Sequence, residues 1–541
     1  MPKEFRGILA VILSVAVLAL WYKFFSPPPP QAIPPQQPIP TSVSPAPTPA
    51  PAPVAVSPKT EAESKRGETF VLENDLVRIT LNTMRGIATD WKLKKYTKNG
   101  GEEQGVSLTD ALGNSLDWQF SNRNFEAPVA MPFVFTNQGS SQAELKWTSK
   151  GITLFKRFFL DPNSYQLRVE TEFINNKKET VTFIPSFEWS KIASEESPQR
   201  GALFFKTPPD KWHPVYFNNA SLEVLEDANL PVSQTITGKI SWAGTESRYF
   251  LGGIIPTGKE GEKLEIGRYQ NQATGGEEIL FTRLFLPTVQ ILPGERWLQR
   301  VDVYGGPKEL KYLQTVGANF EKVIGYGWIS IVATPILYLL QLFYKGVHNY
   351  GVAIILLTIL IKILLNPINK KSMESMKRMQ ILQPRLKEIR EKYGNDKQKM
   401  NVETMQLFKA HKVNPMGGCL PMLLQFPIYI ALYKVLWNSV ELYHAHFFLF
   451  YKDLSAPDPY FIMPVILGVA MFLQTKMTPT PSADPAQQKM MMIMPVMFSV
   501  FMIFLPVGLT LYILVNTVMT ILQQWMYQKG IRMRDLVRGR I

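Results

Sequence analysis

A lysine in an otherwise apolar run is the residue most in need of a chemical reason. Lys362 lies in Gly351–Pro367, flanked by Ile and Leu. A lysine near the centre of a membrane helix costs about 2.5–3.5 kcal/mol to insert. Thr358, Lys362 and Asn366 recur at i, i+4 and i+8, one face of a helix. Tyr512, Asn516, Thr520 and Gln524 repeat the spacing in a later apolar run, and Gln425 sits within a third. Such stripes either glue helices together or line a common water-filled cavity carrying one positive charge. A cavity of that kind suits the transient lodging of a polar or acidic chain segment. Asp and Glu are missing from the apolar runs, so a proton relay has no titratable groups to use. Enzyme signatures are also scarce: there is no His-Glu-x-x-His, phosphate-binding Gly-rich loop or Gly-x-Ser-x-Gly. His444 and His446 lack a nearby third ligand, and one cysteine, Cys419, excludes a disulfide framework or a Cys-based metal site. The residues predict a non-enzymatic protein without cofactor or metal.

Methionine is the second unusual feature. Met490, Met491, Met492, Met494, Met497 and Met502 crowd one run, and Met373, Met376 and Met379 open a basic loop. Flexible, polarisable side chains fill gaps, and they also suit surfaces that accept many apolar partners.

The elements that must position these residues form a membrane protein. The 541 residues carry a net charge of +14. Nearly all of the excess lies in 319–541, with 24 basic and 11 acidic groups, whereas 59–318 are almost neutral. Ile8–Phe25, preceded by Lys3 and Arg6, reads as an uncleaved signal anchor (domain 1–26). A proline-rich spacer, 27–58, holds 14 prolines. Residues 59–318 alternate apolar and polar, as in Leu76–Leu81, Ile152–Phe158 and Tyr165–Phe173, and predict a large all-β sandwich across the membrane from the cytoplasm. Trp189, Trp212 and Trp242 within it fit either its core or a sugar-stacking surface.

Further spans are predicted near Gly351–Pro367, Cys419–Trp437, Phe461–Thr475, Met490–Leu505 and Gly508–Met526, giving six with the anchor. Trp328–Tyr344 is apolar too, but were it a span, the loop Lys370–Pro415, with twelve Lys and Arg, would be exported against the positive-inside rule. It is therefore expected to lie along the outer interface, as an amphipathic helix within 319–348. The core then occupies 349–528, with a cytoplasmic helical hairpin at 370–415 and a basic cytoplasmic tail at 529–541. Both termini fall in the cytoplasm.

Several segments resemble the YidC/Oxa/Alb family: Leu382-Gln383-Pro384, Lys412–Pro421 with Gln425–Ile428, Asp453-Leu454-Ser455, Asp484–Lys489 and Pro506–Leu509. The resemblance in the core covers roughly 320–530, and the anchor, linker and β domain match the family's Gram-negative architecture in order and size. It implies an inner-membrane insertase and chaperone with a five-helix core around a hydrophilic groove, working alone or with the Sec translocon. The groove would comprise Lys362, Thr358, Asn366, Gln425, Tyr512, Asn516 and Thr520. Apolar segments would leave along a slide of Met422, Phe426, Met494, Met497 and Phe501. Implied partners are nascent membrane proteins, the lipid bilayer, and a ribosome or the signal-recognition-particle pathway at the hairpin, with a monomeric core. The family's groove charge is typically arginine; here the matching residue is Lys362. The rival expectation is a membrane-anchored periplasmic protein that binds or modifies glycans through the β domain.

Overall fold

The computed structural model describes residues from Gly67 to Lys529, apart from 98–104, 110–112, 123, 126, 129, 194–210, 226–231, 272–276, 394–395, 412, 414–419, 449–450 and 479–484. The anchor, the proline-rich spacer and the tail beyond Lys529 lie outside the described residues.

Period-2 alternation produces strands throughout the first half. In Ile152–Leu160, inward-facing Phe158 and Leu160 alternate with more exposed neighbours. Eighteen described strands, all paired antiparallel, form a 4-stranded and a 14-stranded sheet. The two sheets are locked by tryptophan. Trp91 of strand Ile87–Thr97 meets Trp189 of strand Val181–Ile192 edge to face at 5.8 Å. Each indole rests on a glycine: a Cβ on Gly305 would fall 2.4 Å from Trp91, and one on Gly252 2.0 Å from Trp189. These two glycines face each other on adjacent strands, so the floor beneath both rings is bare backbone.

The tryptophans proposed for sugar stacking are all interior. Trp189 and Trp242 are fully buried and Trp212 nearly so. Trp189 donates to Thr245 Oγ1 at 3.0 Å and Trp242 to the Ala318 carbonyl at 3.1 Å. Burial of large rings against a second sheet outweighs any surface role, so of the two readings the core one holds and the sugar-stacking one does not.

Nine described helices follow. The short α1 (Leu310–Val316) leads through 3₁₀ turns into α2 (Ser330–Val347). Helix α3 (Tyr350–Ile381) passes unbroken through Pro367. The sequence reading ended a span there and began the hairpin afresh. Helix formers on both sides carry the chain across the one amide lost at proline, and the break falls at Leu382, close before Pro384. The hairpin proper is α4 (Gln383–Tyr393) and α5 (Lys397–Ala410), closed over Met379, Leu382, Leu386, Phe408 and Val413. Asp396 caps α5, accepting from the Gln398 and Lys399 amides. Next come α6 (Leu420–Asn438), α7 (Ile462–Met477), α8 (Pro485–Met502) and α9 (Val507–Lys529).

Helix α9 packs on α3 and α7, α8 on α7, and α2 on α3 and α6. By length and composition, Gly327–Val347, Tyr350–Ile381 and Val507–Lys529 are long and apolar enough to cross a membrane, while α7 and Met492–Met502 are apolar but shorter.

The β domain is seated on the end of α6. Arg248 donates from Nε to the Trp437 carbonyl at 2.8 Å and lays its guanidinium 3.8 Å from the centre of the Trp437 ring. Tyr443, just beyond, packs on Tyr249 and Phe250 and donates to the Thr97 carbonyl.

Candidate functional site

The polar residues of three apolar helices converge below this seat. Helix α3 directs Lys362 toward α9. Only 4% of the residue is exposed, and its ammonium donates to Thr520 Oγ1 at 2.7 Å. Thr520 donates in turn to the Asn516 carbonyl at 2.7 Å. From α6, Gln425 Nε2 donates to the Tyr512 hydroxyl at 2.7 Å. Asn516 Nδ2 donates back to the Tyr429 hydroxyl on α6, also at 2.7 Å. The i, i+4 repeat is what brings these groups to one face of each helix. Among the described residues no carboxylate lies within ion-pairing distance of Lys362. A cation held this way retains most of its electrostatic demand for a negative or polar partner.

The remaining sequence-predicted residues divide by position. Thr358 is fully buried, but its hydroxyl donates to the Ile354 carbonyl of its own helix. Asn366 is half-buried one turn beyond Lys362. Phe426, Met494, Met497 and Phe501 are exposed on the outside of α6 and α8, each by about half or more of its surface. The side chain of Met422 lies outside the described residues. Among the described residues α6 and α8 do not form a packed pair. Tyr429 was missed. Its signal was its place four residues after Gln425, on the same face.

Toward the β-domain end the residues facing the bundle interior become apolar. Above Thr358, Tyr429 and Tyr512 the facing residues are Ala353, Ile354, Leu432, Val435, Leu436 and Leu509, all buried. Over them lies the loop 439–461. Its Leu454 and Ala456 carbonyls accept from the Gly508 and Val507 amides, and Phe447 packs so closely on Gly351 that no Cβ fits between them. His444 in this loop is held against Asp453, its amide donating to Oδ1 at 3.2 Å. The site thus divides by position: hydrogen-bonded polar side chains and one lysine toward the hairpin side, buried apolar side chains beneath the loop toward the β-domain side.

An apolar helical bundle with this polar cluster, carrying a large antiparallel β domain, is the architecture of a polytopic membrane protein with an extramembrane domain. Residues 342–534 match the family described as 60Kd inner membrane protein, and 69–339 match the YidC periplasmic domain. The chain belongs to the YidC family of membrane protein insertases. It is 35% identical over 472 residues to the membrane protein insertase YidC of Geobacter sp. (strain M21), covering 85% of each chain. It is 32% identical over 544 residues to that of Geotalea daltonii, covering 98% of this chain and 99% of the relative. A YidC insertase crystal structure with its first transmembrane domain resolved aligns over 85% of this chain and 93% of its own, at 18% identity and a TM-score of 0.38. The sandwich is accordingly the periplasmic domain, and the protein is not an enzyme.

Proposed function

We propose that the protein inserts integral proteins into the inner membrane and helps them fold, and that Lys362 is the group that draws a polar or acidic stretch of the incoming chain into the bundle. The observation that carries this reading is a buried ammonium with, among the described residues, a single neutral side-chain acceptor, Thr520, in the polar half of a capped bundle. Asn366, Gln425, Asn516, Thr520, Tyr512 and Thr358 make up the rest of the groove. The client's apolar segment leaves between α6 and α8 along Met422, Phe426, Met494, Met497 and Phe501, where lipid replaces protein contact.

In this reading the anchor and α3, α6, α7, α8 and α9 make six spans, the last five forming the core of a Gram-negative inner-membrane protein with both termini in the cytoplasm. Helix α2 lies flat on the outer surface. Gln341, in its second half, donates to Glu441 of the outer loop at 2.8 Å. Asn349, at its far end, donates to the Phe447 carbonyl of the same loop. A helix with its middle and end at one membrane level does not cross. The basic hairpin and tail receive ribosome-bound chains or the signal-recognition-particle pathway, the Sec translocon works alongside for larger clients, and the core acts as a monomer without cofactor.

The test is reconstitution into liposomes with a small two-span client, scoring protease-protected insertion. Lys362→Ala should reduce insertion about tenfold or more, Lys362→Arg should retain it, and deletion of roughly 70–310 should leave it. Equal insertion by wild type, Lys362→Ala and Lys362→Arg would remove the lysine from the mechanism.

A further inference from the structure

Between the polar and capped halves of the bundle stand two tyrosines. Tyr429 lies one helical turn nearer the β-domain end of α6 than Gln425, and Tyr512 one turn nearer that end of α9 than Asn516, about 6 Å in each case. The bonds are Gln425 to Tyr512 and Asn516 to Tyr429, at 2.7 Å each. Each therefore slants from a tyrosine on one helix to an amide one turn below on the other. The rings meet edge to face at 5.8 Å, 82° apart. Tyr429 and Tyr512 thus share one level, their hydroxyls both aimed toward the hairpin side. The polar residues assigned to the groove lie at or below that level, and Leu432, Val435, Leu436 and Leu509 above it are buried and apolar.

We infer that Tyr429 and Tyr512 form a latch at the outer limit of the groove and determine which client segments pass it. A polar stretch drawn in by Lys362 meets the two rings as a closed pair. To reach the periplasm it must part them, breaking two buried hydrogen bonds and exposing two amides. A segment that supplies its own backbone donors and acceptors replaces those bonds as it passes, whereas a client with almost no translocated residues never opens the latch. The latch is thus a specificity element for long polar translocated segments, and Tyr429 is a positioning residue that holds Tyr512 shut. This inference rests on the insertase reading.

The experiment compares two clients in the liposome assay, one with a long polar translocated loop and one with a minimal loop. In Tyr429→Phe/Tyr512→Phe both rings stay and both bonds are lost. The rate for the long-loop client relative to that for the minimal-loop client should rise about 3–30-fold. A parallel change for both clients would make the tyrosines helix glue only and overturn the inference, as would an unchanged ratio. A second arm does not depend on that variant folding. In Cys419→Ser, Tyr429→Cys and Asn516→Cys are joined after reconstitution by a short reducible bismaleimide. Long-loop translocation should stop and should return on reduction; translocation past the intact cross-link refutes the latch. Lys362→Ala is run alongside. If it has no effect, the groove reading itself fails; if it acts while the latch variants do not, only the latch is lost.

Discussion

The seat of the β domain on α6 can be tested at one residue, Arg248. Its guanidinium makes a charged hydrogen bond to the Trp437 carbonyl at 2.8 Å and a cation–π contact at 3.8 Å, and it also lies 4.8 Å from the Tyr249 ring. A hydrogen bond from a charged donor contributes about 1.5–3 kcal/mol and a partly desolvated cation–π contact about 0.5–2 kcal/mol. The two share one side chain and do not simply add, so Arg248→Ala should cost the junction about 2–4 kcal/mol. That is roughly a 30–1000-fold increase in local opening. Hydrogen exchange reads it directly. The amides of Ser439, Leu442 and Tyr443 bond to Val435, Ser439 and Val440 at the end of α6 and should exchange faster by that factor. Amides within the sandwich should not change. Arg248→Lys keeps the charge without the planar stack and should fall between. Exchange within threefold of wild type at all three amides would refute the reasoning and leave the Tyr443 cluster as the anchor. Insertion should stay within twofold of wild type, since Arg248 touches no groove residue.

Other consequences lie within the sandwich. Lys156 is almost fully buried, and its ammonium donates to the Gly86 and Leu116 carbonyls at 2.6 Å each. Lys156→Met leaves those acceptors without their donor, costing about 2–4 kcal/mol, and should lower the β-domain melting temperature by roughly 5–15 °C in tryptophan fluorescence. Glu144 accepts from Thr136 Oγ1 at 2.6 Å and pairs with Arg157, and these contacts hold its carboxyl below the ordinary value of 4.5. The folded state therefore binds this proton less readily than the unfolded chain, so the stabilisation is present above pH 4.5 and lost as pH falls below it. Glu144→Gln should flatten that part of the acid-unfolding curve, measured by fluorescence from pH 6 to 3, and an unchanged slope would count against the assignment.

Spacing made much of this molecule legible. Alternation in Ile152–Phe158 marks a strand because side chains change face at every residue, and the i, i+4, i+8 rows of α3 and α9 mark faces because a helix turns every 3.6 residues. What spacing does not carry is the partner. Lys156 and Arg157 are adjacent charges in one strand, and only the register against 142–149 and 166–175 turns Lys156 inward and Arg157 toward Glu144 and Glu172. Tyr429 lies in an apolar helix where tyrosine ordinarily anchors to an interface, so its role emerges only with Asn516, 87 residues away. Trp189, Trp212 and Trp242 fit two readings from sequence for a similar reason: ring type says nothing of which sheet face is covered, and only their burial selects the core. The sequence near Pro367 does not show that one helix, α3, carries the chain through it to Ile381.

The cap described above fastens the bundle at its periplasmic end. There α6 is clamped through Trp437, α8 is tied to α7 by Ser499 donating to the Pro464 carbonyl, and α9 is pinned through Val507 and Gly508. Toward the cytoplasm Gln425 ties α6 to Tyr512 of α9, and Gln524 ties α9 to the Met477 carbonyl of α7. In the insertase reading, a chain that enters between α6 and α9 therefore meets hydrogen bonds that it must replace with its own. Admission is then an exchange of partners, close to balanced in free energy, and needs no fuel.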